Sequence, residues 1–259
     1  MTERHEPSRL LRLWRATATR DLLQMALIIG FVLTARTVIA APYYVPSGSM
    51  EPTLRIGDEL LATKYAYGFS RYSLPLDPGA SFSGRWLGAL PERGAVVVFH
   101  PPGKTDETWV KRVIGLPGDR VQMIGGHLHI NGAELPLRPD GAGEIESQNG
   151  AKRPAARLIE TLPNGVEHPI LKLGWDGMLD NTPLFVVPAG HLFMMGDSRD
   201  NSLDSRVSPR VGGLGFVPVD HLLGRADVIL GSWDFPNGKS SVLGAVSAVR
   251  LSRFFSRID

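Results

Sequence analysis

The chain has 259 residues, of which 43% are hydrophobic and 21% charged, so it can bury a core and is neither disordered nor a coiled coil. Its 28 basic and 26 acidic side chains give a net charge of +2, which is too balanced to imply nucleic-acid binding by a whole basic face. The absence of cysteine excludes disulfide scaffolds, thiol catalysis and cysteine-ligated zinc.

The N-terminal region predicts a membrane anchor. Residues 1–21 contain five arginines and are interpreted as a cytoplasmic segment, because basic residues before an apolar run stay on the inner side. Residues 22–45, LLQMALIIGFVLTARTVIAAPYYV, are mostly apolar. As a helix they would extend roughly 36 Å, enough for a hydrocarbon core of about 30 Å. We therefore predict one transmembrane helix over 22–45, with the rest of the chain on the outer side.

A cleaved signal peptide is an alternative interpretation of the same residues. The run from Leu22 to Ala35 has the length of a signal-peptide apolar region, and Val38-Ile39-Ala40 resembles a cleavage site. In a spanning helix, Arg36 would have to extend its guanidinium towards the membrane surface.

The remainder of the chain has a β-rich pattern. Its glycines and prolines separate short runs rich in branched and aromatic residues, as is typical of strands. Gly125-Gly126 and Asn131-Gly132 predict tight hairpin turns. We predict a mainly β barrel or sheet domain over residues 46–138 and 184–238. Strands are predicted over Glu59–Lys64, Ala95–Phe99, Thr108–Ile114, Arg120–Ile124, His127–Ile130, Phe185–Pro188 and His191–Met195 in this domain, and over Ala156–Thr161 outside it.

Three segments are predicted to lie outside this domain core. Tyr67 to Arg93 is interpreted as a long loop whose aromatic residues either cover the barrel or enter a membrane interface. Residues 139–183 are predicted to form a small inserted subdomain with a hairpin at Pro163-Asn164-Gly165. Residues 239–259 are predicted to be an amphipathic helical tail that packs against the domain or contacts lipid.

Two segments contain residues suited to serine hydrolysis. In Pro46-Ser-Gly-Ser-Met-Glu-Pro-Thr-Leu54, a serine follows glycine on a turn, which suits a nucleophile but is also common in ordinary turns. On the strand over Thr108–Ile114, alternation places Lys111 beside Trp109 and Val113. Apolar neighbours would lower the lysine pKa from about 10.4 towards the 7 to 8 that suits a general base. An exposed lysine on an edge strand explains the same pattern.

A third segment, Gly196 to Arg206, has the sequence GDSRDNSLDSR. Paired Arg–Asp hydrogen bonds would lock such a loop and allow it to orient a catalytic group. Its carboxylate spacing fits no EF-hand. His127 and His129 share a strand face but have no third ligand nearby, so we predict surface histidines and no metal site.

The segments PSGSMEPTL, RIGDELLATKYAYG, RGAVVVF, VKRVIGLPGD and GDSRDNSLDSR, in this order after an apolar run, resemble bacterial type I signal peptidase, or leader peptidase. The resemblance covers most of residues 22–231 and implies a membrane-bound Ser/Lys serine endopeptidase that removes signal peptides from exported precursors. It implies no cofactor, and a bacterial inner-membrane location with the catalytic domain on the periplasmic side. The implied partners are signal-peptide-bearing precursors and membrane lipid, without nucleic acid. The oligomeric state is not predicted.

The resemblance also assigns residue roles. Ser49 matches the nucleophile and Lys111 the general base, while Ser47 and the Ser49 N–H match the oxyanion hole. Ser202 matches the residue that orients the lysine. Further matches are the substrate-pocket positions Val45, Met50, Leu54 and Val110 and the structural positions Asp204 and Arg206. Two positions depart from the family pattern, with Ser198 where asparagine is commoner and Trp109 where tyrosine often stands.

Other functions fit parts of the pattern. A self-cleaving Ser/Lys protease that inactivates repressors would carry a DNA-binding or regulatory domain, which the sequence does not show. An inert membrane-anchored β domain that binds exported peptides conflicts with the intact Ser49, Lys111 and Ser202. Sequence order alone does not exclude a Ser-His-Asp triad, although a G-x-S-x-G elbow is absent.

Overall fold

The computed structural model describes residues 19–32, 39–73, 84–146, 151–234 and 249–258. Residues 19–32 form helix α1, whose side chains are exposed. Within these described ranges, no helix combines the length and the apolar character needed to cross a bilayer. Most of the predicted cytoplasmic segment, and Arg36, lie outside the described residues.

The described residues form fourteen strands. In chain order these are β1 (Ala40–Tyr44), β2 (Asp58–Thr63), β3 (Val96–Phe99), β4 (Trp109–Gly115), β5 (Arg120–Ile124), β6 (His127–Ile130), β7 (Ala133–Glu134), β8 (Leu137–Glu146), β9 (Lys152–Thr161), β10 (Glu167–Lys172), β11 (Phe185–Val186), β12 (His191–Met195), β13 (Val217–Pro218) and β14 (Leu222–Ser232). Single 3₁₀ turns cover Gly48–Met50, Tyr65–Tyr67, Arg71–Ser73, Pro209–Val211, Val219–His221 and Leu251–Arg253. The predicted mainly β class is confirmed.

The strands form three antiparallel sheets. The largest has the order β1-β2-β14-β3-β4-β12-β13, and a second has the order β11-β5-β6-β7. Gly125-Gly126 joins β5 to β6 and Asn131-Gly132 joins β6 to β7, all four residues having positive φ as the predicted hairpin turns require.

The third sheet, β10-β9-β8, lies mostly within residues 139–183, which were predicted as an inserted subdomain. Its β9–β10 turn closes at Pro163-Asn164-Gly165, as predicted, where the Leu162 N–H donates to the Val166 carbonyl and the Gly165 N–H donates to the Leu162 carbonyl. Strand β8 begins at Leu137, slightly before the predicted boundary at 139. The insert also joins the main domain, because Leu171 pairs with Ser198 in a parallel bridge.

The predicted helix over 22–45 extends too far towards the C-terminus. Its last part is strand β1, which pairs with β2 from Ala40 opposite Thr63 to Tyr44 opposite Glu59. Pro42 is tolerated because β1 is an edge strand and an edge residue can lack a ladder N–H. Strand formation also packs Tyr43 against a buried cluster, so this stretch belongs to the β domain.

The predicted amphipathic helix over Ser241–Asp259 is wrong for its described part. Residues 249–258 are mainly extended, with one 3₁₀ turn at Leu251–Arg253. Val249 bridges to Trp233, and Arg257 bridges to Val228. Pairing with β14 satisfies the backbone of this segment and therefore replaces helical hydrogen bonds.

The predicted loop from Tyr67 to Arg93 is held closed at its described ends. Phe69 and Trp86 exchange two backbone hydrogen bonds of 2.9 and 2.8 Å. The partly buried Arg85 donates to the backbone carbonyls of five residues, namely Tyr67, Gly68, Val219, Asp220 and Leu222. Trp86 itself is exposed, and Phe82 lies outside the described residues.

Phe193 is the centre of an aromatic cluster beneath the second sheet. Its ring lies 5.1 Å from Phe185 and 6.2 Å from Phe216, and it is fully buried. We expect Phe193→Ala to lower the free energy of unfolding by about 3–5 kcal/mol, because it leaves a cavity as well as removing apolar contacts. Urea denaturation measures this effect. The exposed control Met178→Ala should change stability by less than about 0.5 kcal/mol, and equal losses in the two variants would contradict the assigned core.

Candidate active site

Ser49 lies on a tight turn that is anchored in the core. Ser47 is extended, and the chain then makes the 3₁₀ turn Gly48–Met50, closed by the Glu51 N–H donating to the Gly48 carbonyl at 3.1 Å. Met50 and Leu54 are fully buried. The turn therefore fixes Ser49 between an extended segment and two buried side chains.

Strand β4 brings Lys111 to this turn. The Lys111 Nζ donates to Ser49 Oγ at 2.7 Å, although the two residues lie 62 positions apart in sequence. Nζ also donates to the Val110 carbonyl at 3.1 Å and lies 5.6 Å from the centre of the Trp109 ring. Only 4% of Lys111 is exposed. The structure thus brings together the two residues predicted as nucleophile and general base.

Burial lowers the pKa of Lys111 to about 8, because desolvation disfavours the ammonium form. Asp204 and Asp197 act in the opposite direction. Each of these carboxylates is itself paired with an arginine, which weakens its attraction for the lysine. Near pH 8 a substantial fraction of Lys111 is therefore the neutral amine that can accept a proton.

Asp197 connects three parts of the chain. It receives hydrogen bonds from Arg112 Nε at 2.9 Å and Nη2 at 2.8 Å, and from Thr53 Oγ1 at 2.6 Å. Burial alone would raise the pKa of Asp197, but the Arg112 guanidinium holds it well below the usual range. Strand β4 therefore carries Lys111 on one face. On its other face, Arg112 holds the segment after Ser49 in place through Asp197 and Thr53.

Asp204 and Arg206, predicted as structural positions, form a buried ion pair. Arg206 donates through Nε at 2.9 Å and Nη2 at 2.8 Å, and the Gly196 N–H donates to the same carboxylate at 3.1 Å. Burial raises the pKa of Asp204, but the Arg206 guanidinium together with the backbone N–H groups of Gly196 and Arg206 lowers it below its ordinary value. The pair fixes the loop that follows β12.

Ser47 and Ser202 both lie beside the Ser49 turn, but in different ways. Ser47 Oγ is 3.4 Å from Ser49 Oγ. Ser202 Oγ is buried and has no hydrogen-bond partner among the described residues, so the predicted bond to Lys111 is not formed. A Cβ added to Gly196 would lie 2.3 Å from Ser202 Oγ and 2.4 Å from the Ser49 carbonyl oxygen. The absence of a side chain at 196 thus allows Ser202 to approach Ser49 closely.

The predicted pocket residues gather in one apolar cluster. Val45, Met50 and Leu54 are buried in it, and Val110 packs against it. Tyr43 joins the same cluster and was not predicted. Its spacing of two from Val45 would have indicated this position if the segment had been interpreted as a strand rather than a helix.

A buried network from the inserted sheet also reaches the site and was not predicted. The His168 ring lies between Glu160, with Nε2 3.2 Å from Oε2, and Asp197, with Nδ1 3.4 Å from Oδ1. Arg199 donates to both oxygens of Glu160 at 2.8 and 2.6 Å. Glu160 and His168 lie on β9 and β10, outside the motif that contains Asp197 and Arg199, so no local sequence signal links the two pairs.

Histidines elsewhere lie apart from this site. His127 Nδ1 is 3.0 Å from Glu134, and its ring stacks on Trp175. His129 Nε2 is 3.8 Å from the same glutamate. In the part of the chain that the structure describes, no group of three or more histidine, aspartate or glutamate residues is arranged to hold a metal ion.

Comparison with known proteins gives concordant matches. A family described as signal peptidase, peptidase S26, matches residues 18–233. Signal peptidase I of Rickettsia akari and that of Rickettsia typhi are each 36% identical over 258 residues, covering 93% of this chain and 94% of each relative. A solved signal peptidase I from Enterococcus faecalis is 24% identical, with a TM-score of 0.30, covering 53% of this chain and 97% of that one.

The pKa of Lys111 is directly measurable. We expect an NMR titration of ¹³Cε-labelled lysine to give about 8 for the signal that Lys111→Met removes. Asp204→Asn should lower this pKa further, because it removes a carboxylate and leaves the Arg206 cation unpaired. The exposed Glu144→Gln is the control. Titration of Lys111 at the ordinary lysine value would contradict the desolvated site.

Proposed function

Because the chain belongs to the signal peptidase family, peptidase S26, and is thus a serine endopeptidase that removes signal peptides, we propose that Ser49 is its nucleophile and Lys111 its general base. The observation that carries this proposal is the 2.7 Å contact between Lys111 Nζ and Ser49 Oγ in a site where Lys111 is 4% exposed. Such contact at a depressed lysine pKa is what a Ser/Lys dyad requires.

In the proposed acylation step, neutral Lys111 takes the Ser49 proton as Oγ attacks the scissile carbonyl carbon. The tetrahedral intermediate collapses when the protonated lysine gives this proton to the leaving amine, which departs as the N-terminus of the mature protein. In deacylation, neutral Lys111 takes a proton from water as the water oxygen attacks the ester carbon. The protonated lysine then returns this proton to Ser49 Oγ as the ester C–O bond breaks, and the signal peptide leaves with a free carboxyl group. The amine is regenerated in each turnover, so no cofactor enters the reaction.

The developing oxyanion needs donors close to Ser49. We assign the Ser49 N–H and the Ser47 hydroxyl to this role, supported by the 3.4 Å separation of the two serine oxygens. Since Ser202 Oγ does not contact Lys111 in this structure, we assign Ser202 to support of the Ser49 turn, next to the Ser49 carbonyl.

The apolar cluster beside the turn supports a preference for small side chains before the cleavage site. Val45, Met50 and Leu54 are buried together in this cluster, and Val110 packs against it. Close-packed walls reject large groups, because overpacking costs typically about 1–3 kcal/mol. We therefore assign these four residues to the substrate pocket.

We also place the catalytic domain on the outer side of a bacterial inner membrane, with its precursor substrates anchored in the same bilayer. The support is the apolar surface of α1, where Leu22, Leu27 and Phe31 are exposed by 66, 65 and 73%. Apolar side chains exposed along a whole helix suit a lipid environment. Ser49 follows soon after strand β1, so the nucleophile stays close to the apolar segment. The basic N-terminal residues set the proposed orientation.

Removal of either dyad member is the first test. We expect Ser49→Ala and Lys111→Ala each to reduce processing of a signal-peptide-bearing precursor in detergent by about 10⁴-fold or more, because neither half of the dyad acts alone. Circular dichroism checks that both variants fold, and the exposed Lys152→Ala is the matched control. Near-normal processing by the folded Ser49→Ala variant would refute the proposed nucleophile.

The pH dependence follows from the lysine pKa. Protonated Lys111 cannot accept the serine proton, so we expect kcat/KM to rise with pH through about 8 and then level off. Steady-state cleavage of a precursor across this range measures the profile, with the stability of the protein checked at each pH. A profile that stays flat through this range would contradict the assignment of Lys111 as the base.

A further inference from the structure

The C-terminal segment, residues 249–258, returns to the domain next to strand β14. The Arg250 N–H donates to the Ser232 carbonyl at 3.0 Å, and the Phe255 N–H donates to the Ile229 carbonyl at 2.7 Å. These bonds fix the backbone on both sides of the 3₁₀ turn Leu251–Arg253. The segment is therefore held in place before its side chains are considered.

Two arginines of this segment reach the chain that follows Ser49. Arg253 donates through Nε to Asp58 Oδ1 at 3.0 Å and through Nη2 to both Asp58 Oδ2 and the Thr53 carbonyl, the last at 2.9 Å. Arg250 Nη1 donates to the Ile56 carbonyl at 2.8 Å. The Asp58 side chain is fully buried, and that of Arg253 is 17% exposed. One guanidinium thus joins the two ends of the turn over residues 53–58.

Thr53 connects Arg253 to the residues around Ser49 and Lys111. Its hydroxyl donates to Asp197 at 2.6 Å and accepts from Arg112 Nη2 at 3.2 Å, and Arg112 follows Lys111 on β4. The next residue, Leu54, donates its N–H to the Met50 carbonyl at 2.9 Å. Thr53 is consequently held by its hydroxyl on the Lys111 side and by its carbonyl on the Arg253 side.

We infer that the C-terminal segment is part of the support of the active site and that Arg253 is a positioning residue for Ser49. The inference rests on the proposed nucleophilic role of Ser49. Arg253 touches neither Ser49 nor Lys111, so it acts through residues 53–58. Loss of its bonds would free the Thr53 carbonyl and leave the buried Asp58 carboxylate without this cation, and the turn carrying Ser49 would shift relative to Lys111.

The test compares Arg253→Ala, Arg253→Lys and the control Arg257→Ala in the full chain in detergent, with a signal-peptide-bearing precursor as substrate. We expect Arg253→Ala to lower kcat by about tenfold or more with KM within about twofold, because a small displacement of the nucleophile slows chemistry more than binding. Because the substitution leaves the burial of Lys111 and the carboxylates of Asp204 and Asp197 in place, the rising limb of the pH profile should not move. Arg257 is exposed, so Arg257→Ala should retain the parent kcat.

The variant Arg253→Lys separates positioning from stability. Its ammonium group keeps a charge for Asp58 but cannot reproduce the planar fork that also binds the Thr53 carbonyl, so we expect Arg253→Lys to recover Tm more fully than kcat. Parent-like kcat in folded Arg253→Ala would overturn the inference. If Arg253→Ala does not fold, parent-like kcat in Arg253→Lys overturns it instead. Ser49→Ala is measured in parallel. Processing by Ser49→Ala would reject the proposed nucleophile. An inactive Ser49→Ala together with a fully active Arg253→Ala would reject only the inference about Arg253.

Discussion

The site depends on keeping the Lys111 amine out of water without giving it a strong counter-charge. A lysine buried next to a free carboxylate would stay protonated, because the opposite charge offsets desolvation. Here the nearby carboxylates of Asp197 and Asp204 are occupied by Arg112 and Arg206. The two ion pairs therefore provide rigidity while leaving the lysine pKa low.

These ion pairs also explain why distant parts of the chain converge on Ser49. A buried pair that loses one partner leaves an uncompensated charge, which costs about 3–5 kcal/mol. Asp197 joins β4 to the segment after Ser49, and His168 of the inserted sheet lies against the same carboxylate. The inserted sheet and the segment after Ser49 thus share one polar network.

Local features of the fold were predictable from sequence, and non-local ones were not. The β5–β6–β7 hairpins follow from Gly125-Gly126 and Asn131-Gly132, whose positive φ values define the turns. The order of short motifs indicated Ser49 and Lys111, but no local signal places Arg253 against Thr53 or Glu160 against Arg199. Residues 40–44 and 249–258 were predicted as helix from their apolar composition. In the structure they pair with strands that are distant in sequence, and local composition does not reveal these partners.

Arg85 is accommodated differently from the ion-paired Arg112 and Arg206. Its guanidinium is solvated by backbone carbonyl dipoles instead of a carboxylate, and burial lowers its pKa to about 10. These bonds restrict the backbone next to Trp86, although the Trp86 side chain is 64% exposed. A surface that meets this indole encounters a pre-organised group, so little conformational freedom remains to be lost on contact.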